Sequence, residues 1–194
     1  MFSMKKFILA SASPRRKELL KEIVQDFTVS PSSFDESSVN ATLPPRKLVK
    51  ELAKGKALAV AKECENGAVV LGSDTVVALG RRVLGKPRDE REAREMLTLL
   101  SGEKHAVYTG VCFAVSGKTF SAVCKTDVFF EKLSKEFIER YVQSGSPMDK
   151  AGAYGIQDGG LVKKIRGSYT NVVGLPVELC KKMLNKLKRK GLLP

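Results

Sequence analysis

The chain has 194 residues, of which 43% are hydrophobic and 28% charged. This composition excludes a disordered protein and predicts one domain over residues 1–194, or two small lobes that share a sheet. Lysine and arginine (34) outnumber aspartate and glutamate (21), giving a formal net charge of +13. The excess favours polyanionic partners without choosing among nucleic acid, anionic lipid and a phosphate-rich small molecule.

The first part of the chain predicts strands that alternate with helices. Apolar runs indicate the strands, and a Ser-Pro or Pro-Pro start indicates each helix. In chain order the predicted elements are a strand at 6–10, a helix at 13–20, a strand at 27–30, a polar loop at 31–42 and a helix at 44–64. The next apolar run, 68–79, is predicted to break at Gly72-Ser73-Asp74, because glycine and aspartate disfavour strands.

The second part of the chain predicts a hairpin enclosed by helices. The turn signal Ser116-Gly117-Lys118 separates two long strand-like runs. The predicted elements are a short strand at 82–84, a helix at 89–101, strands at 105–115 and 119–130, a helix at 134–144, a glycine-rich segment at 151–174 and a lysine-rich helix from Pro176. The mixture predicts an α/β or α+β protein whose sheet is long enough to present a cleft.

No membrane span, leader peptide or zinc site is expected. The apolar run Phe7–Ala10 is too short for a signal peptide, and no window approaches the roughly 20 apolar residues of a transmembrane helix. The chain has four cysteines without CxxC spacing and one histidine, His105, which argues against a Cys/His zinc site. The cysteines are interpreted as mostly buried thiols in a reducing cytoplasm; Cys112 and Cys124 share the predicted hairpin and could be neighbours.

Ser13-Pro14-Arg15-Arg16 is a candidate phosphate site. A strand that leads into a helix start places free backbone N–H groups, a hydroxyl and two guanidinium groups around one point. Helix N-termini attract anions, and arginine binds phosphate oxygens in a bidentate manner. The alternative is an ordinary capped helix with two solvated arginines.

Asp74 stands in the middle of an apolar strand pattern. A buried carboxylate without a partner is costly, so Asp74 is predicted to bind a metal, to act as a base or to pair with a cation. The alternative is an aspartate in a bulge or turn that bonds its own backbone.

The segment Gly80–Pro87 nearly matches the P-loop pattern GxxxxGK[ST], but Pro87 replaces the required hydroxyl residue. The P-loop is therefore rejected, and Lys86 is kept as a candidate phosphate contact, with a surface turn as the alternative. Lys56, one turn beyond Leu52, is a weaker candidate against the alternative of a solvated helix face.

The run Asp149–Gln157 is a candidate base-binding segment. Its small residues permit close backbone approach to a ligand, Lys150 supplies charge, and Gln157 supplies an amide able to read a base edge. The alternative is a glycine-rich surface loop. The lysine-rich C-terminal segment is interpreted as a solvated helix face, since it lacks the interleaved aromatics of single-strand binders. Serine–histidine catalysis is disfavoured because the one histidine begins a predicted strand.

Several separated stretches match one family pattern, in the family's order and over nearly the whole chain. They are Leu9-Ala10-Ser11-Ala12-Ser13-Pro14-Arg15-Arg16, Phe34-Asp35-Glu36, Leu52-Ala53 with Lys56-Ala57, Gly72-Ser73-Asp74-Thr75-Val76, Gly85-Lys86-Pro87, Tyr108-Thr109-Gly110-Val111, Asp149-Lys150-Ala151-Gly152-Ala153-Tyr154-Gly155-Ile156-Gln157 and Asn171-Val172-Val173-Gly174-Leu175-Pro176. Together they resemble the Maf family of house-cleaning nucleotide pyrophosphatases. One departure is Asp158, where the family pattern has glycine; it places an acidic group beside the proposed base contact.

The resemblance implies an α/β fold with a long mixed β-sheet, flanking helices and two lobes around a central active-site cleft, as in ITPase-like proteins, and often a homodimer. It implies Asp74 as the catalytic proton acceptor, with Glu36 as the second ligand of a divalent cation, Mg²⁺ or Mn²⁺. The triphosphate contacts that it implies are Ser13, Arg16, Lys56 and Lys86.

The resemblance also implies a substrate. Arg15, Thr75 and Gln157 are similar to the subgroup that acts on dTTP and UTP, whereas the 7-methyl-GTP subgroup carries other residues there. The family is linked to septum inhibition and cell-division arrest. The expected activity is hydrolysis of a nucleoside triphosphate between its α- and β-phosphates, in the cytoplasm. A basic nucleic-acid-binding module is the rival; it explains the charge of +13 but neither the strand aspartate nor the 149–157 segment, so nucleic acid is not the expected partner.

Overall fold

Long β-branched runs form the centre of one mixed sheet in this computed structural model, which describes residues 6–64 and 67–193. The strands are β1 Phe7–Leu9, β2 Thr28–Val29, β3 Val69–Leu79, β4 Arg82–Leu84, β5 Lys104–Val115, β6 Lys118–Phe130 and β7 Val162–Arg166. The helices are α1 Pro14–Lys21, α2 Pro45–Glu63, α3 Glu90–Leu100, α4 Lys135–Gln143, α5 Tyr169–Val173 and α6 Val177–Arg189. Residues 1–5 lie outside the described residues. They precede the apolar run Phe7–Ala10, on which the prediction that there is no leader peptide rests.

The sheet runs in the order β2-β1-β3-β5-β6-β7, with β4 paired to the far end of β3. β1 is parallel to β2 and β3, and the other pairs are antiparallel. This is the predicted α/β fold with a mixed sheet and flanking helices. Among the described helices, none is long and apolar enough to cross a membrane.

β3 is continuous, so the predicted break at Gly72-Ser73-Asp74 is wrong. β5 pairs with β3 from Val69 to Ala78 without interruption, which satisfies the backbone on that edge. On the other edge, β1 pairs only with residues 69–71 and β4 only with residues 77–79. In the described part of the chain, no strand covers this edge between them, and this gap in the sheet is where the polar residues of β3 lie.

Helix α2 packs directly on the backbone of the central strands. A side chain at Gly72 would overlap the carbonyl oxygen of Ala53, and one at Gly110 would overlap that of Val49. Only glycine permits this close approach. It fixes the helix over the same face of β3 that carries Asp74, because alternate strand residues share a face.

The opposite face of the sheet carries two separate apolar clusters. The first packs α3 and α4 against Val77 and Val107, and the second packs α1 and α6 against Leu71 and Phe113. Between them β3 and β5 present Thr75 and Thr109, whose hydroxyls lie 3.0 Å apart. The polar strip therefore separates the two apolar clusters.

The other differences from prediction concern short elements. The second strand covers only Thr28–Val29, and the predicted polar loop contains a 3₁₀ turn at Glu36–Ser38. The glycine-rich segment contains β7 and α5, which were not predicted.

All four cysteines are free; Cys112 and Cys180 are buried, whereas Cys64 and Cys124 are half-buried. The predicted hairpin forms, but Cys112 pairs with Ser121 and Cys124 with Thr109, so the two cysteines are not opposite each other. Burial raises the pKa of the Cys180 thiol to about 12. This burial makes Cys180 a packing residue rather than a nucleophile.

His105 is buried at the start of β5, where its Nε2 lies 2.8 Å from the Tyr154 hydroxyl. Burial lowers the pKa of His105 to about 4, whereas the unfolded side chain titrates near 6.5. Between these values the unfolded chain binds a proton that the folded chain does not. We therefore expect the free energy of unfolding to fall as pH is lowered from 6.5 to 4, by about 3 kcal/mol over the full shift.

Urea unfolding of the wild type and of His105→Gln, from about pH 7.5 to about pH 4.5, measures this contribution. Glutamine keeps a hydrogen-bonding group beside Tyr154 but does not titrate. The free energy of unfolding of the wild type should exceed that of the variant by a smaller amount as the pH falls. The carboxylates contribute equally to both proteins, so this change reports His105 alone. An advantage that is constant with pH would contradict the assignment.

Candidate active site

A cleft of about 740 Å³ opens at the gap on the edge of β3. It is lined from several distant parts of the chain, because strand ends, helix starts and loops meet at this gap. Every side chain predicted for the site lines it, namely Ser13, Arg15, Arg16, Glu36, Lys56, Asp74, Thr75, Lys86 and Gln157.

Asp74, Lys56 and Glu36 form one charged cluster in the cleft. The Lys56 Nζ lies 2.6 Å from Asp74 Oδ1 and 2.9 Å from Glu36 Oε1. The side chains of Lys56 and Asp74 are only 13% and 11% exposed, whereas that of Glu36 is 58% exposed. Because Asp74 is buried, its pairing with the half-buried Lys56 avoids the cost of an unpaired charge. Lys56, predicted as a phosphate contact, therefore holds the two carboxylates in this structure.

Phe34 positions the loop that carries Glu36. Its ring occupies the space that a side chain at Gly55 of α2 would fill. Asp35 then caps the following 3₁₀ turn by accepting a hydrogen bond from the Ser37 N–H, and the bonds from Ser37 lower the pKa of Asp35. The turn directs Glu36 back toward Lys56, which is the residue after Gly55.

Ser13 and Arg16 occupy the start of α1 as predicted. Ser13 is the N-cap and accepts a hydrogen bond from the Arg16 N–H. The Arg16 guanidinium is fixed by donating to the Gly174 carbonyl oxygen (2.9 Å), to Ser11 Oγ (3.2 Å) and to Thr75 Oγ1 (3.1 Å). Further N–H donors on its Nη atoms remain for a ligand. Burial lowers the pKa of Arg16, against the opposing influence of Asp74.

Thr75 lies on the opposite strand face from Asp74, and both reach the cleft because β3 has a free edge there. Its hydroxyl accepts from Arg16 and contacts Thr109, which donates to the Asn171 carbonyl oxygen. The buried Asn171 amide in turn donates to the Val107 carbonyl oxygen and to Thr126. This buried network places α5, and with it the cleft wall at Gly174.

Sequence reasoning assigned no role to the residues that hold Arg16 and Thr75. Ser11, Thr109, Asn171 and Gly174 all lie in stretches that resemble the family pattern, which was the only signal for them. Gly174 has a φ of 130°, a conformation that favours glycine. Its carbonyl oxygen thereby faces Arg16.

Arg15 spans the mouth of the cleft. Its Nη1 lies 2.7 Å from Asp149 Oδ2, and its Nη2 donates to the Asp149 carbonyl oxygen at 3.1 Å. Burial opposes ionisation of Asp149, but hydrogen bonds from Lys150 and Arg15 outweigh it and lower the Asp149 pKa. Arg15 therefore bounds the pocket on the side of the 149–157 segment.

Lys86 and Gln157 are exposed, like Glu36. Lys86 follows β4, and the preceding Gly85 carbonyl oxygen accepts from the Gly152 N–H, which joins this turn to the 149–157 segment. Within residues 6–64 and 67–193, neither side chain has an ion pair or hydrogen bond. Both are therefore available to a ligand.

The described residues of the cleft supply only some of the oxygen ligands that a hard divalent cation needs. Carboxylate oxygens of Glu36 and Asp74 already converge on one positive charge, and oxygen donors are those that Mg²⁺ and Mn²⁺ prefer. In the described residues no group of three or more acidic, histidine or cysteine side chains is placed to hold a metal. Mg²⁺ is commonly bound by one or two carboxylates together with substrate phosphates, so two carboxylates in a cleft rimmed by cations fit that mode.

Known proteins similar to this chain support one family. The family model for Maf-like protein matches residues 6–187. A dTTP/UTP pyrophosphatase of Clostridium novyi (strain NT) is 49% identical over 177 residues, covering 89% of this chain and 92% of the relative. A dTTP/UTP pyrophosphatase of Thermococcus kodakarensis is 47% identical over 178 residues, covering 91% of this chain and 94% of the relative.

Two solved structures share the fold. A HAM1 protein from Coxiella burnetii has a TM-score of 0.52 and 15% identity, over 94% of this chain and 100% of that chain. The Staphylococcus aureus Ham1 protein has a TM-score of 0.54 and 14% identity, over 94% and 99%. Since the family model covers nearly the whole chain and relatives approach half identity, the chain belongs to the Maf family.

Proposed function

We propose that this protein hydrolyses dTTP and UTP to the nucleoside monophosphate and pyrophosphate. One observation carries the proposal: the cleft brings the carboxylates of Asp74 and Glu36 together with the cations Arg16, Lys56 and Lys86. Hydrolysis of a phosphoanhydride depends mainly on positioning and on neutralising charge. The names of the relatives support the same reaction and the same substrates.

Asp74 is proposed as the proton acceptor. Its Oδ1 is held by Lys56 at 2.6 Å, which leaves Oδ2 to take the proton from the attacking water. Lys56 fixes the carboxylate in the cleft, because its buried stem comes from α2, which is itself seated on Gly72 and Gly110. The water attacks the α-phosphate, and the bond from that phosphorus to the bridging oxygen of pyrophosphate breaks.

Ser13, Arg16, Lys56 and Lys86 are proposed to bind the triphosphate. Arg16 presents N–H donors from a fixed position, and the free start of α1 adds backbone donors. Lys86 is unpaired and follows a turn, so it can approach the leaving pyrophosphate. These cations stabilise charge both in the substrate and on the departing group.

Glu36 and Asp74 are proposed to hold a divalent cation, Mg²⁺ or Mn²⁺, with the phosphates of the substrate. The chemistry that such a cation supplies is neutralisation of phosphate charge and activation of water. The exposed Glu36 side chain is free to move from Lys56 toward the cation, whereas Asp74 is held in the strand.

Gln157, Arg15 and Thr75 are proposed to determine base specificity. The Gln157 amide offers both a donor and an acceptor, which match the O4/N3–H edge of uracil and thymine. A site built from paired polar groups rejects bases that leave those groups unpaired. We also propose that residues 1–194 form one catalytic domain, since the site draws on segments from Ser13 to Gln157. The homodimer and the cytoplasmic location stay predictions.

The test is an assay of products with purified protein, Mg²⁺ and UTP. We expect UMP and pyrophosphate, with no UDP, because the attack occurs at the α-phosphate. EDTA should abolish turnover. Orthophosphate and UDP as first products would contradict the proposed cleavage site. A panel of dTTP, UTP, CTP, ATP, GTP and 7-methyl-GTP should show dTTP and UTP well ahead, and a purine preference would refute only the base specificity.

A further inference from the structure

Tyr141 of α4 lies behind the segment that carries Gln157, outside the cleft lining. Its hydroxyl donates to Asp158 Oδ2 at 2.5 Å and accepts from the Gly155 N–H at 3.1 Å. These two contacts are on either side of Gln157 in the sequence. A single hydroxyl therefore holds both ends of the turn Gly155–Asp158.

Asp158 ties the same turn to a third segment. Its Oδ2 also accepts from Ser146 Oγ at 2.7 Å, and it lies 3.9 Å from the Lys150 Nζ. The carboxylate therefore points to Tyr141 and Ser146, where it is only 21% exposed. The residue that departs from the family pattern thus anchors the turn that carries the proposed base contact.

The turn is tightly packed at Gly155. A Cβ atom at Gly155 would lie 2.8 Å from both Asp158 Oδ2 and Lys150 Cε. Burial raises the pKa of Tyr141, so its hydroxyl keeps the proton that it donates at neutral pH. The Gln157 side chain is exposed and makes no hydrogen bond among the described residues, so within that part of the chain its placement depends on the backbone of this turn.

We propose that Tyr141 and Asp158 are positioning residues for base recognition, which fix the turn that presents the Gln157 amide to the pyrimidine edge. The inference rests on the proposed function of Gln157. Discrimination by paired hydrogen bonds requires both partners at good distance and angle. When one end of the turn loses its hydrogen bond, the amide can move away from this distance and angle. A base with the wrong edge is then rejected less strongly.

The test compares Tyr141→Phe with the wild type in kcat/KM for UTP and CTP. Phenylalanine keeps the ring that stacks on Phe137, with centroids 6.2 Å apart, and removes only the hydroxyl. We expect the preference for UTP over CTP to fall about five- to tenfold, mainly through a higher KM for UTP. The matched control is Tyr108→Phe, which removes the same atom from a residue packed beside α2, and it should keep the wild-type preference.

Asp158→Gly tests the same inference from the other side of the contact. It should reduce the preference for UTP as Tyr141→Phe does, and it supplies the result if the tyrosine variant fails to fold. In a Gln157→Ala background, Tyr141→Phe should cause no further loss of preference, because the residue that it positions is gone. Independent, multiplicative losses would show a general structural role and overturn the inference.

The outcomes separate this inference from the proposed function. A wild-type protein that releases no pyrophosphate from UTP refutes the function and the inference with it. A wild type that prefers UTP, together with Tyr141→Phe and Asp158→Gly variants that keep the same preference, refutes only the inference.

Discussion

Asp74→Asn is expected to lower kcat on UTP by about 10²–10⁴, the usual contribution of a general base. Asparagine has the same size but cannot take a proton from water. Folding should survive, because Lys56 keeps Glu36 as a partner at 2.9 Å. The measurement is kcat with Mg²⁺ at saturating UTP, together with the melting temperature of the variant.

Glu36→Gln is the control for charge in the same cluster. Glu36 is exposed and also contacts Lys56, so this variant removes one negative charge without removing the proposed base. We expect a smaller loss of kcat and a higher Mg²⁺ concentration at half-maximal rate. A folded Asp74→Asn protein with full activity would place the base elsewhere, and Glu36 would be the next carboxylate to test.

The candidate site could be predicted from sequence where the chemistry is local. Ser13 caps a helix, and Arg15 and Arg16 follow it within one turn, so the sequence indicates a candidate anion site. Asp74 stands in an apolar strand pattern, where a buried carboxylate is costly unless it has a partner. Each of these patterns lies within a few residues, and each side chain lines the cleft.

The continuity of β3 could not be predicted in this way. Glycine and aspartate weaken a strand locally, which favoured a break at residues 72–74. Pairing along β5 overrides that preference, since it satisfies the backbone of the whole stretch. Gly72 is present because α2 packs against it, and no local pattern shows a contact with a distant helix.

The ion pairs of the site could not be predicted from the sequence either. Arg15 contacts Asp149 across 134 positions of the chain, and Lys56 meets Asp74 across 18. Neither pair follows the spacing of a helix or a strand. The sequence identified three of these residues as candidates, but only the fold shows that Lys56 is shared by two carboxylates.

The two neighbouring arginines lie in different surroundings. Arg16 is held by the Gly174 carbonyl oxygen, Ser11 and Thr75, while Arg15 forms an ion pair with Asp149. The planar guanidinium of Arg16 can bind these groups and a phosphate at once, because its donors point in several fixed directions. A lysine ammonium on the same backbone cannot reach all of them.

Arg16→Lys is therefore expected to lower kcat/KM for UTP by about 10²–10³, the loss usual for a preorganised donor to the reacting group. Arg15→Lys, which keeps a charge opposite Asp149, should lose less than about tenfold, as expected for a partly exposed ion pair. The measurement is kcat and KM for both variants with UTP and Mg²⁺. The positive charge is retained in each, so the comparison isolates geometry from charge. Equal small losses would mean that a point charge at position 16 suffices, and that its hydrogen bonds to the cleft wall serve only the fold.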